Sequence, residues 1–116
     1  MHEMALMGDI LNLIQENAET KKITTIEKVE LLVGELSNAL PDALQMAFSI
    51  YREQNPQFIS RKAVLAITVE EAEAECVVCG EHYYPDQRIS ICPICSMPSG
   101  KLISGESFQV LSYEGN

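Results

Sequence analysis

The chain has 116 residues, 47% hydrophobic and 22% charged, which fits one folded domain, or one domain with a small appendage, and excludes a disordered chain. Seventeen acidic against eight basic residues leave a net charge of −9, so neither a nucleic-acid backbone nor an anionic membrane surface is expected as a partner. No apolar run approaches the roughly 20 residues of a membrane span, and Met1-His2-Glu3 lacks the basic-then-apolar layout of a signal peptide, so a cytoplasmic protein is expected.

Residues 4–19 place Met7, Ile10, Leu11, Ile14 and Ala18 at spacings of three and four, the apolar stripe of an amphipathic helix, with Lys21-Lys22 suited to the negative pole of its dipole. From Ile26 to Glu35 the period changes to two: Val29, Leu31 and Val33 alternate with Lys28, Glu30 and Leu32, a strand with one better-buried face. Pro41 suits the first position of a second helix and Asp42 its first turn. Leu40, Leu44, Ala47, Phe48 and Tyr51 make its apolar face, and Asn55-Pro56 stops it. Val64–Val69 is again strand-like, with Leu65, Ile67 and Val69 on one face.

Composition then shifts. Glu70, Glu71, Glu73 and Glu75 lead into residues 74–104, which hold all four cysteines and three of the five prolines but no amphipathic helix. Strand character returns from Glu106 to Glu114. The reading is an α+β fold: two helices on a small three-stranded mixed sheet built from residues 1–73 and 105–116, interrupted by a zinc-ribbon module over 74–104. This two-part connection permits a domain-swapped homodimer as well as a monomer.

Cys76-x2-Cys79 and Cys92-x2-Cys95 are separated by 12 residues. Each x2 turn lets two thiolates converge on a metal, and two such turns complete a tetrahedron. A closed set of four thiolates is a structural site, not a catalytic one. Two disulfides are the competing reading and are unfavoured in a reducing compartment. Rubredoxin-like Fe(Cys)4 is a further alternative, but the spacer is short for it and the aromatic cluster expected around iron is missing, so zinc leads. A module with so few apolar residues cannot fold on its core alone, so metal must supply its folding energy. Between Glu70 and Cys95 six acidic residues face one basic residue, Arg88, so the ribbon suits a scaffold or protein contact and would repel phosphate.

The start of the chain carries a second signal. The α-amine of Met1, the His2 amide nitrogen and the His2 imidazole can close two adjacent chelate rings, an in-plane nitrogen set suited to Ni(II) or Cu(II). Met1 should remain, because initiator methionine is normally removed only before a small residue. Glu3 could add its amide nitrogen, serve as a weak further ligand, or orient His2. Protons compete for these donors, so binding should weaken in acid. On its own, a histidine near a terminus is more often simply solvated. His82, three residues past Cys79, could be an additional nickel ligand, a group beside the zinc, or a solvent-facing loop histidine. No nucleophile–base pair, acid/base carboxylate pair or phosphate loop is legible, and most carboxylates read as a solvated face, so no enzymatic activity is expected.

Met1-His2-Glu3, Val33-Gly34-Glu35-Leu36-Ser37, Pro41-Asp42-Ala43-Leu44 and the Cys76/Cys79…Cys92/Cys95 ribbon occur in the order found in the HypA/HybF family, which the chain resembles over essentially its whole length. Members are nickel-insertion accessory proteins of NiFe-hydrogenase maturation, and some also serve urease. The resemblance implies a nickel site at Met1, His2 and Glu3 and structural zinc on Cys76, Cys79, Cys92 and Cys95. It implies a HypB-type GTPase and the hydrogenase large-subunit precursor as partners. The chain departs from the family after the last cysteine, where Ser96-Met97-Pro98 stands in place of the usual Gly or His, and the role of His82 is not set by the family pattern. A non-catalytic zinc-ribbon adaptor without nickel binding remains the competing reading.

Overall fold

A computed structural model describes residues 2–85 and 91–116, so Met1, Asp86 and Arg88 lie outside the described residues. Helix α1 spans His2–Thr20 and α2 Pro41–Gln54. The strands are β1 (Ile26–Gly34), β2 (Ile59–Glu70), β3 (Glu73–Cys76), β4 (His82–Tyr83), β5 (Gly100–Ser104) and β6 (Phe108–Gly115). They form two three-stranded sheets, ordered β2-β1-β6 and β4-β3-β5.

The first sheet is mixed, as backbone hydrogen bonds at its two ends show. Ile26 N–H donates to the Phe58 carbonyl (2.7 Å) and Glu35 N–H to that of Glu70 (3.0 Å), so β1 and β2 run parallel. Gly34 N–H donates to Ser107 (2.6 Å) and Asn116 N–H to Thr25 (2.9 Å), so β6 is antiparallel to β1. The parallel pair needs a crossover, and α2 supplies it. In the second sheet β3 is central and pairs antiparallel on both sides, Glu75 opposite His82 and Lys101.

The chain divides into two compact units, one of residues 1–32, 39–68 and 109–116, the other of 33–38 and 69–108. In the first, all five stripe residues of α1 are buried, together with Leu44, Ala47 and Phe48 of α2 and Ile26, Val29 and Leu31 of β1. The other face of β1 stays accessible and carries a Lys28–Glu30 ion pair at 3.1 Å. One covered sheet face and one wet face is what the alternation in β1 dictates. Each large aliphatic or aromatic side chain so buried contributes about 1.5–3 kcal/mol, and this layer carries the unit.

Several local expectations change. Lys21 and Lys22 do not sit in the last helical turn. Lys22 takes φ 59°, Ile23 N–H reaches back to Ala18 (2.9 Å) and Lys22 N–H to Glu19 (3.2 Å), a Schellman turn with lysine where glycine is usual. Leu40 precedes α2 as its N-cap and is 63% exposed, because its extended backbone (ψ 122°) turns it off the helical face. Tyr51 is half-buried, its hydroxyl engaged as described below. The strand read at Val64–Val69 begins at Ile59, and Leu65 is buried while Val69 is exposed: the two lie in different compact units, so one apolar face does not run the strand's length.

Among its described residues the second unit buries few apolar side chains, all of them small or medium-sized: Val33, Ala72, Ala74, Cys76 and Cys92. Backbone proximity replaces side-chain packing. A Cβ on Gly34 would collide with the Gly105 carbonyl, and one on Gly105, whose φ is +108°, would meet Ala72. Two carboxylates tie the same segments: Glu35 accepts Ala72 N–H (2.6 Å), and Glu70 accepts Gly105 N–H (2.6 Å) and the Ser107 hydroxyl (3.1 Å). Gly34 and Glu35 are therefore structural, and Glu35 and Glu70 do not belong to a merely solvated acidic face.

Candidate metal centres

The two cysteine knuckles are built alike. After the first pair, Gly80 N–H donates to the Cys76 carbonyl (2.9 Å) and Cys76 N–H to that of Glu81 (2.9 Å). After the second, Ser96 N–H donates to Cys92 (2.8 Å) and Cys92 N–H to Met97 (3.0 Å). Gly80 and Ser96 occupy equivalent left-handed positions, φ 79° and 57°. The Ser96 departure noted above is thus a serine doing a glycine's work.

Amides turn toward the sulfurs. Val78 and Cys79 N–H point at the Cys76 Sγ and Cys95 N–H at the Cys92 Sγ, each at 3.4 Å. The four Sγ atoms lie within 4.8 Å of one another, with Cys76 and Cys92 buried and Cys79 exposed. Such N–H···S contacts stabilise thiolate charge, and four sulfurs at this spacing suit tetrahedral thiolate coordination. Among the described residues no other group of three or more His, Cys, Asp or Glu side chains converges this way.

The thiols titrate unequally. The Ser99 Oγ, 3.0 Å from the Cys76 sulfur, is the leading influence that lowers the Cys76 thiol to about 6, with the Cys79 N–H next. The neighbouring Cys79 thiol, followed by burial, pushes Cys95 up to about 12. Cys76 deprotonates readily while the Cys79 and Cys95 thiols are raised, so filling the cluster with metal displaces protons.

His82 does not join the sulfurs. It sits exposed on β4, its Nδ1 3.2 Å from Glu73 Oε1 and its Nε2 3.3 Å from Glu75 Oε2, both on the neighbouring β3. With a carboxylate at each ring nitrogen, it is a cross-strand tie between β3 and β4.

At the other candidate site, His2 is exposed and is the first residue of α1. Glu3 is 8% exposed and turned inward: its carboxylate accepts the Leu40 N–H at 3.2 Å. Its own backbone N–H first, then that of Leu40, hold the carboxyl below the usual carboxylate range. Leu40 has no side-chain oxygen to cap α2, so Glu3 supplies from α1 the contact to the N-cap amide that a capping box supplies within one helix. Sequence reasoning missed this because the partners are 37 residues apart. The Glu3 side chain is thus engaged in joining α1 to the start of α2.

Residues 1–115 match the family described as hydrogenase/urease nickel incorporation, metallochaperone, hypA. The chain is 34% identical to the hydrogenase maturation factor HypA of Moorella thermoacetica, across 99% of both chains, and 29% identical to that of Aquifex aeolicus, across 98% of this chain and 96% of that one. The fold is similar to a solution structure of a HypA protein (TM-score 0.67, 26% identity, 100% of this chain and 97% of that one). It is also similar to that of the Ni metallochaperone HypA from Helicobacter pylori (TM-score 0.63, 25% identity, 97% and 96%). With the α+β fold and the four-cysteine cluster in place, the chain belongs to the HypA family of hydrogenase/urease nickel-incorporation metallochaperones.

Proposed function

We propose that this chain carries Ni(II) at its N-terminus and delivers it during NiFe-hydrogenase maturation, with urease as an alternative recipient, while zinc on Cys76, Cys79, Cys92 and Cys95 serves structure only. The observation that carries the reading is the exposed His2 at the head of α1 in a chain of this family. Amides of a first helical turn have no intrahelical acceptor, so giving up the His2 amide proton breaks no ladder bond. The Met1 amine, the His2 amide and imidazole, and the Glu3 backbone nitrogen are the donors, a set open enough to pass its cargo on. Zinc, when bound, supplies the folding energy that so small an apolar core cannot.

The partners are a HypB-type GTPase and the hydrogenase large-subunit precursor. The outward side of α1, with Asp9, Leu13 and Glu16 exposed, supports electrostatic steering of basic partner surfaces. Residues 1–73 with 105–116 serve nickel and residues 74–104 zinc. Among the described residues no helix is long and apolar enough to cross a membrane, and the cytoplasm is the proposed compartment.

Calorimetric titration of Ni(II) into zinc-loaded, untagged protein tests this. The native chain is expected to bind about one nickel, and His2→Ala and a variant with one residue added before Met1 to lose it. The competing adaptor reading draws on the exposed Val77, Val78 and Ile94 at the knuckle tips. It expects zinc without nickel: absence of nickel binding in all three proteins would establish it instead, and equal nickel binding by all three would overturn the N-terminal site.

A further inference from the structure

The first turn of α1 is tied to α2 by a contact that helix formation does not require. The Tyr51 hydroxyl donates to the Met4 carbonyl at 3.0 Å. That carbonyl is already the ladder acceptor for the amide four residues on, and Tyr51 uses its second lone pair. No backbone group would be orphaned without the tyrosine, so the bond adds position rather than satisfaction. Gly8 admits it: a Cβ there would stand 2.7 Å from the Tyr51 oxygen. One residue earlier, the Glu3 carboxylate holds the Leu40 N–H at 3.2 Å. Residues 3 and 4, which directly follow Met1-His2, are thus both fastened to α2.

Terminal helical turns fray, and donors hung from a frayed turn must be ordered when they bind a metal. We infer that Tyr51 is a positioning residue for the nickel site: acting through Met4 in the space left by Gly8, it holds the first turn of α1 so that His2 stands on a fixed platform. The inference rests on the N-terminal nickel site proposed above.

Nickel titrations of zinc-loaded wild type, His2→Ala, Tyr51→Phe and Gly8→Ala test it, with helical circular dichroism and thermal midpoints measured alongside. Binding by wild type and its loss in His2→Ala locate the site. Tyr51→Phe is then expected to weaken nickel about three- to tenfold, the scale of one hydrogen bond, with the ligand-field absorption band unmoved because the donors are the same. Gly8→Ala is expected to weaken nickel too, although alanine favours helix. A role confined to helix stability predicts tighter or unchanged binding for Gly8→Ala. Wild-type affinity in both variants, a loss of thermal midpoint alone in Tyr51→Phe, or a moved absorption band would overturn the positioning role. If wild type binds no nickel, or His2→Ala binds it equally, the N-terminal site itself fails and the inference goes with it.

Discussion

At the scale of single residues, two left-handed positions distinguish otherwise matching knuckles. Gly80 has nothing within 4 Å of where a Cβ would stand, yet its φ of 79° penalises any L side chain. Gly80→Ala is therefore expected to cost about 1 kcal/mol through backbone strain alone. Ser96 already bears that strain at φ 57°. Ser96→Gly should relieve it, partly offset by the freedom glycine adds to the unfolded chain, for a net gain below about 1 kcal/mol. Rates of zinc transfer to a colorimetric chelator check both: faster release for Gly80→Ala, equal or slower release for Ser96→Gly. Gly34 differs in kind, because its neighbour is the Gly105 backbone rather than a movable side chain. Gly34→Ala is expected to destabilise by about 2–3 kcal/mol, readable as a lower denaturation midpoint.

At the scale of elements, buried or half-buried carboxylates do what caps and side-chain packing do elsewhere. Glu70 ties the end of β2 to Gly105 and Ser107. The Gly105 N–H first, then the Ser107 hydroxyl, hold its carboxyl below its ordinary 4.5. A carboxyl lowered by folding stabilises the native state above its unfolded pKa and loses that contribution as pH falls through the lowered value. Wild-type thermal stability should therefore decline below about pH 4.5, and Glu70→Gln should be less stable at pH 7 yet converge on wild type as pH falls through the lowered carboxyl value. Thermal scans of both proteins across this range measure it. A pH-independent gap between the two curves would mean that the variant acts through shape rather than charge.

At the scale of the whole molecule, the two units rest on different sources of stability. The first buries Phe48, Leu44, Met7 and Ile14 almost completely, whereas among the described residues of the second the largest fully buried side chains are Val33, Cys76 and Cys92. Removing zinc with a chelator should therefore abolish the β4-β3-β5 sheet while the helical dichroism of α1 and α2 persists. Hydrogen exchange resolved by segment would show protection lost over β3 and β5 and retained in α1. Readdition of zinc should restore it, and acid should oppose the restoration, because Cys79, raised by the cluster, and Cys95, at about 12, must give up their protons to the metal.

The amino-acid sequence alone determined the elements whose signals are local: the five-residue stripe of α1, the Pro41 start and Asn55 stop of α2, the alternation in β1, and the paired C-x2-C turns that bring four sulfurs within 4.8 Å. Period and spacing are properties of neighbouring residues, so they survive without knowledge of the fold. Tertiary structure decided the rest. That Glu3 caps α2, that Glu35 and Glu70 clasp backbone amides, and that Tyr51 reaches Met4 depends on partners 35 to 47 residues apart. His82 needed it too, since its place between Glu73 and Glu75 follows from the β3–β4 register. A carboxylate or hydroxyl carries no mark in sequence of which distant amide or carbonyl the folded backbone will bring to it.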